Sequence, residues 1–391
     1  MTRVYKRGSY QEYFTKEHDM LRKAVREFVR NEIVPYVDEW EEAGETPMSL
    51  YHKAGELGYL AIGYPEEYGG VEGDVFDQIV MTEELCKCGS IGIPVSIGTH
   101  GIALPPVVAH GTHEQKEKFV RPVIEGKRKA ALAITEPSGG SDVANLKTTA
   151  VRKGNHYVVN GNKTFITSGV DAAQFTCAVR TGEQGYRGIS LLIVETGSPG
   201  FSVSKKLKKM GWWASDTAEL FFDDCLVPVE NLIGEENRGF YYQMENFQYE
   251  RLTLALQANT ISEMCLRECL NYVKEREAFG KTLSEFQVIR HKLAEMATLW
   301  EASREFTYRV AAKINAGLNQ VKEVSMAKNF ASTVSDRITY DAVQIFGGYG
   351  YMRGYLVERM FRDNRVLSIG GGTTEIMKEV ISKMLLSESK H

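Results

Sequence analysis

A glutamate in a helix-like segment is the first residue whose surroundings suggest chemistry. Glu250 lies in NFQYERLTLA, residues 246–255, where the sequence turns apolar. A carboxylate that faces a cavity with apolar neighbours has a raised pKa and is suited to act as a general base. A lone Glu on a helix is more often a solvated surface residue. The sequence therefore predicts a general base at Glu250 only if the fold turns this side chain toward a cavity.

Two glycine-rich stretches are candidate ligand-binding loops: ITEPSGGSD, residues 134–142, and LSIGGGTTEIMKEVI, residues 367–381. Because glycine has no side chain, the backbone N–H groups of such loops can approach a phosphate or a ring closely. The first stretch is not the GxGxxG of a βαβ unit, so the Rossmann fingerprint is absent. An ordinary turn is the alternative for the first stretch, and a flexible turn before an N-cap threonine is the alternative for the second.

Three further segments carry side chains that suit a ligand. TFITSG places Phe165 and Thr167 on one strand face, and NYVKEREAFGK places Arg276 and Phe279 where a helix ends. Arginine makes bidentate contacts with phosphate. The third segment, DAVQIFGGYGYM, ends a helix in a glycine pair. A plain strand, a solvated arginine and a glycine C-cap are the structural alternatives.

The composition excludes several classes of protein. The chain has 391 residues, of which 43% are hydrophobic and 25% charged, with a net charge of −4. This balance is typical of a globular protein of two to three domains and gives no electrostatic reason to expect nucleic acid. The six cysteines form no CxxC pair and lie near no histidine cluster, so no metal site is predicted and a reducing compartment is favoured.

Two segments bear on targeting and membranes. The N-terminal MTRVYKRGSY is basic without an apolar stretch, so it is no secretory signal; a transit-peptide remnant and a plain tail both remain open. Residues 88–113 contain no Asp, Glu, Lys or Arg, but glycines and prolines interrupt them. This segment is too broken for a spanning helix, and a buried helix with irregular ends is predicted instead.

The hydrophobic periodicity divides the chain into three parts. Helices are predicted over 17–40, with Thr15 as N-cap, and over 49–58, 75–87 and 114–125. Short alternating strands follow up to about 230, with turn signals at Gly154-Asn155 and Asn160-Gly161. No helical pattern separates these strands, which favours an antiparallel sheet. Long amphipathic helices are then predicted over 239–274, 284–315 and 320–346 and from 373, as in a bundle. The predicted domains are 1–130, 131–236 and 237–391.

Taken together, these segments resemble the acyl-CoA dehydrogenase family from about residue 14 to about 385. The segments that carry the resemblance occur in the family's order: ITEPSGGSD, TFITSG, KMGWWASDTAELFFDDCLVP, EREAFGK, QIFGGYGYM and GGGTTEI. Within the family, the chain is most similar to the long-chain branch and to relatives acting on branched chains such as citronellyl-CoA. The resemblance implies an N-terminal helical domain, a central antiparallel β domain and a C-terminal four-helix bundle, usually in a homotetramer.

The resemblance implies FAD as cofactor. Thr135 is expected near the flavin pyrimidine edge, Ser141 near cofactor and substrate, and Thr167 at flavin N5. Phe165 stands where the family often has Trp. The positions on the flavin's own subunit are Leu132, Ile134, Thr135, Gly140, Ser141, Phe165, Ile166, Thr167, Thr373, Thr374 and Glu375. Positions expected to reach the cofactor of a neighbouring subunit are Arg276, Phe279, Gln287, Gln344, Ile345, Phe346, Gly347 and Gly348.

The resemblance also implies an acyl-CoA thioester as substrate. Its predicted contacts are Ser141, Arg187, Tyr241, Gln248, Tyr249, Arg251, Gly371 and Gly372. In the implied reaction a carboxylate takes the α-proton while flavin N5 accepts the β-hydride. The ribityl 2′-hydroxyl and one backbone N–H stabilise the developing enolate. Electrons then pass to an electron-transferring flavoprotein.

The position of the base departs from the commonest family pattern. Familiar members carry the catalytic Glu directly before the Gly-Thr of the last helix, where this chain has Gly371. A minority carry it directly before an Arg-Leu on another helix, where this chain has Glu250, Arg251 and Leu252. The resemblance therefore assigns proton abstraction to Glu250 and a backbone N–H to Gly371.

Several alternatives remain at this level. An acyl-CoA oxidase that uses oxygen directly is one, and a non-catalytic acyl-CoA-binding relative is another. The chain length and branching of the acyl group are open. An intracellular soluble protein is expected, in the cytoplasm if bacterial or in the mitochondrial matrix if eukaryotic, with no transmembrane segment.

Overall fold

The computed structural model describes residues 12–388, so the basic N-terminal segment 1–10 and its proposed origins lie outside the described residues. The described chain forms two compact units. The helical unit comprises the residues through Asp38, Gly73–Ile91 and the residues from Arg251 on. The mixed unit comprises Glu39–Glu72 and Gly92–Glu250. The three-domain boundaries proposed above stay a prediction.

The first third of the described chain is helical, as predicted. Its helices are α1 (Lys16–Phe28), α2 (Val37–Ala43), α3 (Met48–Glu56), α4 (Val75–Cys86), α5 (Gly92–Gly98), α6 (His100–Ala103), α7 (Pro105–His110), α8 (His113–Phe119) and α9 (Arg121–Ile124). Thr15 caps α1 as predicted, since its side chain accepts a hydrogen bond from the His18 N–H. The predicted continuous helix to Trp40 is interrupted by a π turn at Val29–Ile33 and a 3₁₀ turn at Val34–Tyr36. Pro35 causes this break because it has no N–H to donate.

The uncharged segment 88–113 forms three short helices, α5 to α7, where one helix was predicted. Pro105 and Pro106 open α7, where a missing N–H costs least. Among the described residues, no single helix is long and apolar enough to cross a bilayer, although Gly92–Gly98 and His100–His110, bent by 48°, pass together by length and composition. Within the mixed unit, Leu104 and Val107 of this segment pack in a core shared with the sheet.

The mixed unit is built on a seven-stranded sheet. Its strands are β1 (Ala130–Ala133), β2 (Thr149–Lys153), β3 (His156–Thr167), β4 (Gln174–Arg180), β5 (Ile189–Glu195), β6 (Phe201–Val203) and β7 (Thr217–Pro228). The hairpin and meander pairs are antiparallel, as predicted. The β1–β4 pair is parallel, which differs from the predicted sheet. The β2–β3 hairpin lies between β1 and β4 along the chain and provides the length that a parallel connection needs.

Only one of the two predicted turn signals is a turn. Lys153 pairs with His156 around Gly154-Asn155, which confirms that hairpin. Asn160-Gly161 instead lies inside β3, where the register with β7 shifts between Val159 and Gly161. Gly161 has φ +141°, and a Cβ there would come within 2.7 Å of the Thr148 Cα. The glycine is therefore needed for a β-bulge rather than for a chain reversal.

Beyond the sheet the chain is almost entirely helical. The remaining elements are α10 (Gly239–Glu275), β8 (Glu277–Ala278), β9 (Lys281–Thr282), α11 (Gln287–Asn315), α12 (Val321–Phe346), α13 (Gly348–Tyr351), α14 (Leu356–Asn364) and α15 (Thr374–Glu388). The four long predicted helices are confirmed as α10, α11, α12 and α15. A core cluster of the helical unit joins α4 to α10, α11 and α12 through Phe76, Leu256, Tyr308 and Val324. All six cysteines are free and buried, as expected for structural thiols.

Candidate active site

The glycine-rich loop after β1 is fixed by an ion pair that the sequence analysis did not identify. Lys163 Nζ on β3 lies 2.8 Å from Glu136 Oε1, and it also donates to the Ile134 carbonyl at 3.1 Å. Glu136 accepts the Thr148 N–H at 2.9 Å, and the Thr164 N–H donates to the Thr135 carbonyl at 2.9 Å. These bonds hold the start of the loop against β3. Beyond it, Gly139, Gly140 and Ser141 are exposed.

The end of β3 presents an aromatic ring from a strained backbone. Phe165 has φ +59° and its side chain is 69% exposed, next to a register shift between Lys163 and Ile166. A positive φ is unfavourable for a bulky residue, which makes the position a candidate functional site. Thr167 is half-buried and pairs with Thr217 of β7. The Ile166 side chain is buried in the sheet core, and the predicted contact of this residue with the cofactor stays a prediction.

A second cluster in the mixed unit joins Arg187 to aromatic side chains of α10. The Arg187 guanidinium lies 5.7 Å from the centre of the Tyr186 ring, and Tyr186 contacts Tyr241 at 6.1 Å between ring centres. The hydrogen bond and charge interaction with Tyr186, with a further contribution from Tyr241, raise the pKa of Arg187. Arg238 lies over the same Tyr241 ring at 4.6 Å. Two cations and two phenol rings therefore occupy one exposed corner, a set suited to phosphate and ring recognition.

The first turns of α10, which carry Glu250, are anchored to the α6–α7 segment. The Asn246 amide donates to the Ile102 carbonyl at 3.1 Å, and His110 Nε2 lies 2.9 Å from Glu245. The His110 ring stacks on Tyr242 at 3.7 Å between centres. Glu250 is half-buried one helical turn after Asn246, so the two residues share a helix face. The sequence analysis did not identify these anchors.

Two further predicted contacts of the acyl-CoA lie on the same turns, where Gln248 is half-buried and Tyr249 is 41% exposed. Leu132 and Ile134 pack against the core beneath the sheet, so their side chains serve the fold. Arg251 belongs to the helical unit, where it is buried and donates to the Ser325 hydroxyl at 3.4 Å.

In the helical unit the Gly370–Gly372 loop is held by α12. Lys328 Nζ donates to the Gly372 carbonyl at 2.7 Å, and the Asn329 amide donates to the Thr374 carbonyl at 3.0 Å. Gly371 has φ +62° and Gly372 has φ +93°. Thr373 caps α15 by accepting the Ile376 N–H at 3.3 Å. The hydrogen bond of the Glu375 carboxylate to its own backbone N–H lowers the pKa of this group.

The remaining predicted cofactor positions lie in the helical unit at the ends of α10 and α12. The exposed Arg276 lies 5.7 Å from the centre of the Tyr349 ring, and Phe279 is 95% exposed with φ +53°. Exposed positions suited to an external ligand also include Gln287, Gln344, Gly347 and Gly348. Ile345 and Phe346 are buried, and Phe346 stacks on Tyr272 at 4.0 Å. The predicted contacts of these two residues with a cofactor stay predictions.

Comparison with known sequences accounts for this arrangement. The chain matches the acyl-CoA dehydrogenase N-terminal domain over residues 15–127, the middle domain over 131–225 and the C-terminal domain over 237–386. It is 43% identical to an acyl-CoA dehydrogenase of Bacillus subtilis, covering 96% of this chain and 99% of the relative. It is 41% identical both to the mitochondrial long-chain specific acyl-CoA dehydrogenase of Rattus norvegicus (96% and 88% covered) and to the short-chain specific enzyme of Clostridium acetobutylicum (94% and 97% covered).

Solved structures show the same fold. A probable acyl-CoA dehydrogenase from Mycobacterium abscessus superposes with a TM-score of 0.94 at 50% identity, covering 95% of this chain and all of that one. A chain in the structure of the electron transferring flavoprotein of Acidaminococcus fermentans gives 0.92 at 41% identity, covering 95% and 98%. An acyl-CoA dehydrogenase complexed with FAD from Bacillus anthracis gives 0.90 at 33% identity, covering 97% and 68%. The protein belongs to the acyl-CoA dehydrogenase family.

Proposed function

We propose that this protein catalyses the FAD-dependent α,β-desaturation of an acyl-CoA thioester, medium-chain to long-chain or branched, to the trans-2-enoyl-CoA. The observation that carries the proposal is the position of Glu250. It is half-buried on the α10 turns that Asn246 and His110 anchor to the α6–α7 segment, in a chain of this family that has glycine at position 371.

The residues of the mixed unit fit a flavin. The exposed ring of Phe165, held at a positive φ, supplies an aromatic wall, and Thr167 supplies a hydroxyl at the half-buried end of β3. Thr135, Gly140 and Ser141 supply backbone and hydroxyl groups on a loop that the Lys163–Glu136 pair holds in place. When bound, FAD provides the hydride acceptor for the substrate β-carbon. The Bacillus anthracis relative described with FAD supports this assignment.

The protein's own part in the reaction is to move a proton and to stabilise charge. Glu250 takes the α-proton, and the partial burial of its side chain favours the basic role. The Gly371 N–H donates to the thioester oxygen as negative charge develops there. No hydrogen bond from this N–H to a described residue is present, so it is available to a ligand.

The coenzyme A end of the substrate is assigned to the exposed corner formed by Arg187, Tyr186, Tyr241 and Arg238. Guanidinium groups bind phosphate oxygens, and aromatic faces can stack on the adenine ring. Gln248 and Tyr249 lie further along α10 and are assigned to the acyl part. These assignments lead from the phosphate-binding corner at the start of α10 to the base further along the same helix.

Further parts of the proposal concern the electron acceptor, the oligomeric state and the branch of the family. We propose an electron-transferring flavoprotein as acceptor, supported by the matching chain in the Acidaminococcus fermentans structure. A homotetramer would allow the exposed Arg276, Phe279 and Gln287 to reach the cofactor of a neighbouring subunit. The proposed membership in the long-chain or citronellyl-CoA-type branch rests on the segments KLKKMGWWASDTAELFFDDC, GEENRGFYYQM and GGTTEIMKE, and the Glu-Arg-Leu motif at 250–252 agrees with it. The 41% identity to both long-chain and short-chain relatives supports neither branch over the other.

Anaerobic reduction of the bound flavin tests the proposal. The flavin-loaded protein is mixed with a panel of straight-chain and methyl-branched saturated acyl-CoAs, and the flavin absorbance is followed by stopped flow. Bleaching by at least one thioester is expected, and the rates across the panel give the substrate class. Absence of bleaching with every thioester would contradict the proposal. Rapid hydrogen peroxide formation in air would favour the acyl-CoA oxidase instead.

A further inference from the structure

Lys328 is a fully buried lysine whose ammonium group holds a backbone carbonyl. It lies in the second turn of α12 and is 0% exposed. Its Nζ donates to the Gly372 carbonyl at 2.7 Å. Burying an ammonium group is costly unless strong hydrogen bonds compensate for the lost hydration. An apolar residue at this buried position would need no special explanation, but a lysine does.

The carbonyl that Lys328 holds belongs to a loop that could otherwise take many conformations. Gly371 and Gly372 both have left-handed φ values, +62° and +93°. Consecutive glycines lose more conformational entropy on folding than any other pair, so this geometry needs external restraint. On the N-terminal side, the Gly370 N–H donates to the Val366 carbonyl at 2.8 Å. On the C-terminal side, Lys328 fixes the carbonyl of Gly372.

Two neighbours of Lys328 on α12 bond to the flanks of the loop. The Asn329 amide donates to the Thr374 carbonyl at 3.0 Å, and the Ser332 hydroxyl donates to the Leu367 carbonyl at 3.2 Å. Neither bond reaches the glycine triplet itself. Among the described side chains of α12, Lys328 is the one that bonds inside the triplet, and its bond is charge-assisted and therefore strong.

We propose that Lys328 is a positioning residue that aims the Gly371 N–H at the thioester oxygen by holding the carbonyl of Gly372. The inference rests on the proposed function, in which Gly371 supplies the backbone donor to the enolate oxygen. The Gly370 N–H bond and the Lys328 bond bracket Gly371 from both sides, so its N–H direction is set before substrate binds. Preorganised donors of this kind need no reorganisation as charge develops.

The test compares Lys328→Met with Lys322→Met in the flavin-loaded enzyme. Methionine keeps an apolar stem of similar length but removes the donor. Lys322 lies on the same helix, where it pairs with Glu388, so its variant is a matched control. The probe is a 2-enoyl-CoA labelled with ¹³C at the thioester carbonyl, and difference infrared spectroscopy reads the C=O stretch. A second probe, the thioether analogue without the carbonyl, reports binding that does not use the Gly371 N–H.

The wild type and Lys322→Met are expected to shift the bound C=O stretch to lower frequency than in water. In Lys328→Met the stretch should return toward its solution value. This variant should bind the thioester about tenfold more weakly than the wild type, the thioether analogue equally well, and lose about 10²-fold in kcat as for one lost oxyanion donor. An unchanged stretch in folded Lys328→Met would overturn the inference.

If Lys328→Met does not fold, Lys328→Gln serves instead, because it keeps an N–H donor with shorter reach and no charge. Its C=O stretch should lie between the wild-type and solution values, and a wild-type stretch would contradict the inference. Failure of the proposed function can be distinguished from failure of the inference about Lys328. If the proposed function is wrong, the wild type itself shows no shifted C=O stretch and no flavin reduction by any thioester.

Discussion

Lys163 Nζ and Glu136 Oε1 are 2.8 Å apart, and both residues are almost completely buried in the mixed unit. Lys163 lies two residues before Phe165 on β3, and Glu136 directly follows Thr135 on the loop after β1. Glu136 also accepts the backbone N–H groups of Lys147 at 2.6 Å and Thr148 at 2.9 Å. One buried ion pair thus ties together the two segments that are proposed to hold the flavin.

Removing only one partner of this ion pair should destabilise the protein strongly. Lys163→Met leaves the Glu136 carboxylate buried without its cation, and we expect a loss of about 3–5 kcal/mol in the free energy of unfolding. Urea unfolding of the FAD-free protein measures it, with the exposed Lys153→Met as control. The double variant Lys163→Met, Glu136→Gln should recover part of the loss. If Lys163→Met unfolds at the same urea concentration as the wild type, the pair has no structural role.

The same pair predicts a dependence of stability on pH. Burial alone would raise the pKa of Glu136, but the charge and hydrogen bond of Lys163, with further donors, lower it to about 2. Its contribution to stability is therefore fully present above the ordinary carboxyl pKa of 4.5 and is lost as pH falls from there through about 2. Unfolding free energies of the wild type and Glu136→Gln should converge as the pH falls from 4.5 toward about 2. Parallel curves over this range would disprove the assignment.

The strained backbone at Phe165 predicts a trade-off between stability and cofactor binding. A bulky residue at φ +59° costs about 1–2 kcal/mol relative to glycine. Phe165→Gly should therefore raise the thermal midpoint of the FAD-free protein while weakening FAD binding. Phe165→Ala, which loses the ring but keeps a Cβ, should weaken FAD without the gain in stability. Isothermal titration with FAD and calorimetry of the apoprotein check both effects, and unchanged FAD affinity in both variants would exclude the ring from the flavin site.

Arg187 should act on the coenzyme A moiety alone. Loss of a charged hydrogen bond to phosphate costs about 1.5–3 kcal/mol, so Arg187→Gln should raise KM for acyl-CoA by about tenfold or more. The same variant should leave turnover of an N-acetylcysteamine thioester, which lacks the nucleotide, unchanged. Arg152→Gln, on exposed β2, is the control. An equal loss with both thioesters would place Arg187 elsewhere in the reaction.

The sequence predicted a structural feature correctly where a few neighbouring residues determine the local conformation. Thr15 caps α1, and Gly154-Asn155 turns the hairpin, because both features depend on a few neighbouring residues. Asn160-Gly161 has the same local signal but forms a bulge, since Thr148, on the segment leading into β2, packs against Gly161. Parallel pairing of β1 with β4 likewise depends on contacts that no window of sequence contains.

In the candidate site, too, local motifs were recognised from the sequence, whereas contacts between distant residues were not. Motif resemblance selected Glu250, Phe165 and the glycine triplet as candidates, but it did not identify Lys163, which bonds to the loop beside Phe165's strand, or Lys328, which bonds to the triplet. Lys163 is 27 residues from Glu136, and Lys328 is 44 residues from Gly372. Such partners look like ordinary surface lysines until the fold buries them. Resemblance also assigned Ile166, Ile345 and Phe346 to the cofactor; their side chains are buried, and the assignment stays a prediction.

The identity of the base is the central claim, and Glu250→Gln tests it most directly. The amide has nearly the same shape as the carboxylate but cannot take the α-proton. Glu268→Gln, a half-buried glutamate further along α10 and outside the proposed site, is the matched control. Stopped-flow measurement of anaerobic flavin reduction by a saturated acyl-CoA should show a rate about 10²–10⁴-fold lower in Glu250→Gln, with FAD content and acyl-CoA affinity retained. A rate within a few-fold of the wild type would show that another group removes the proton.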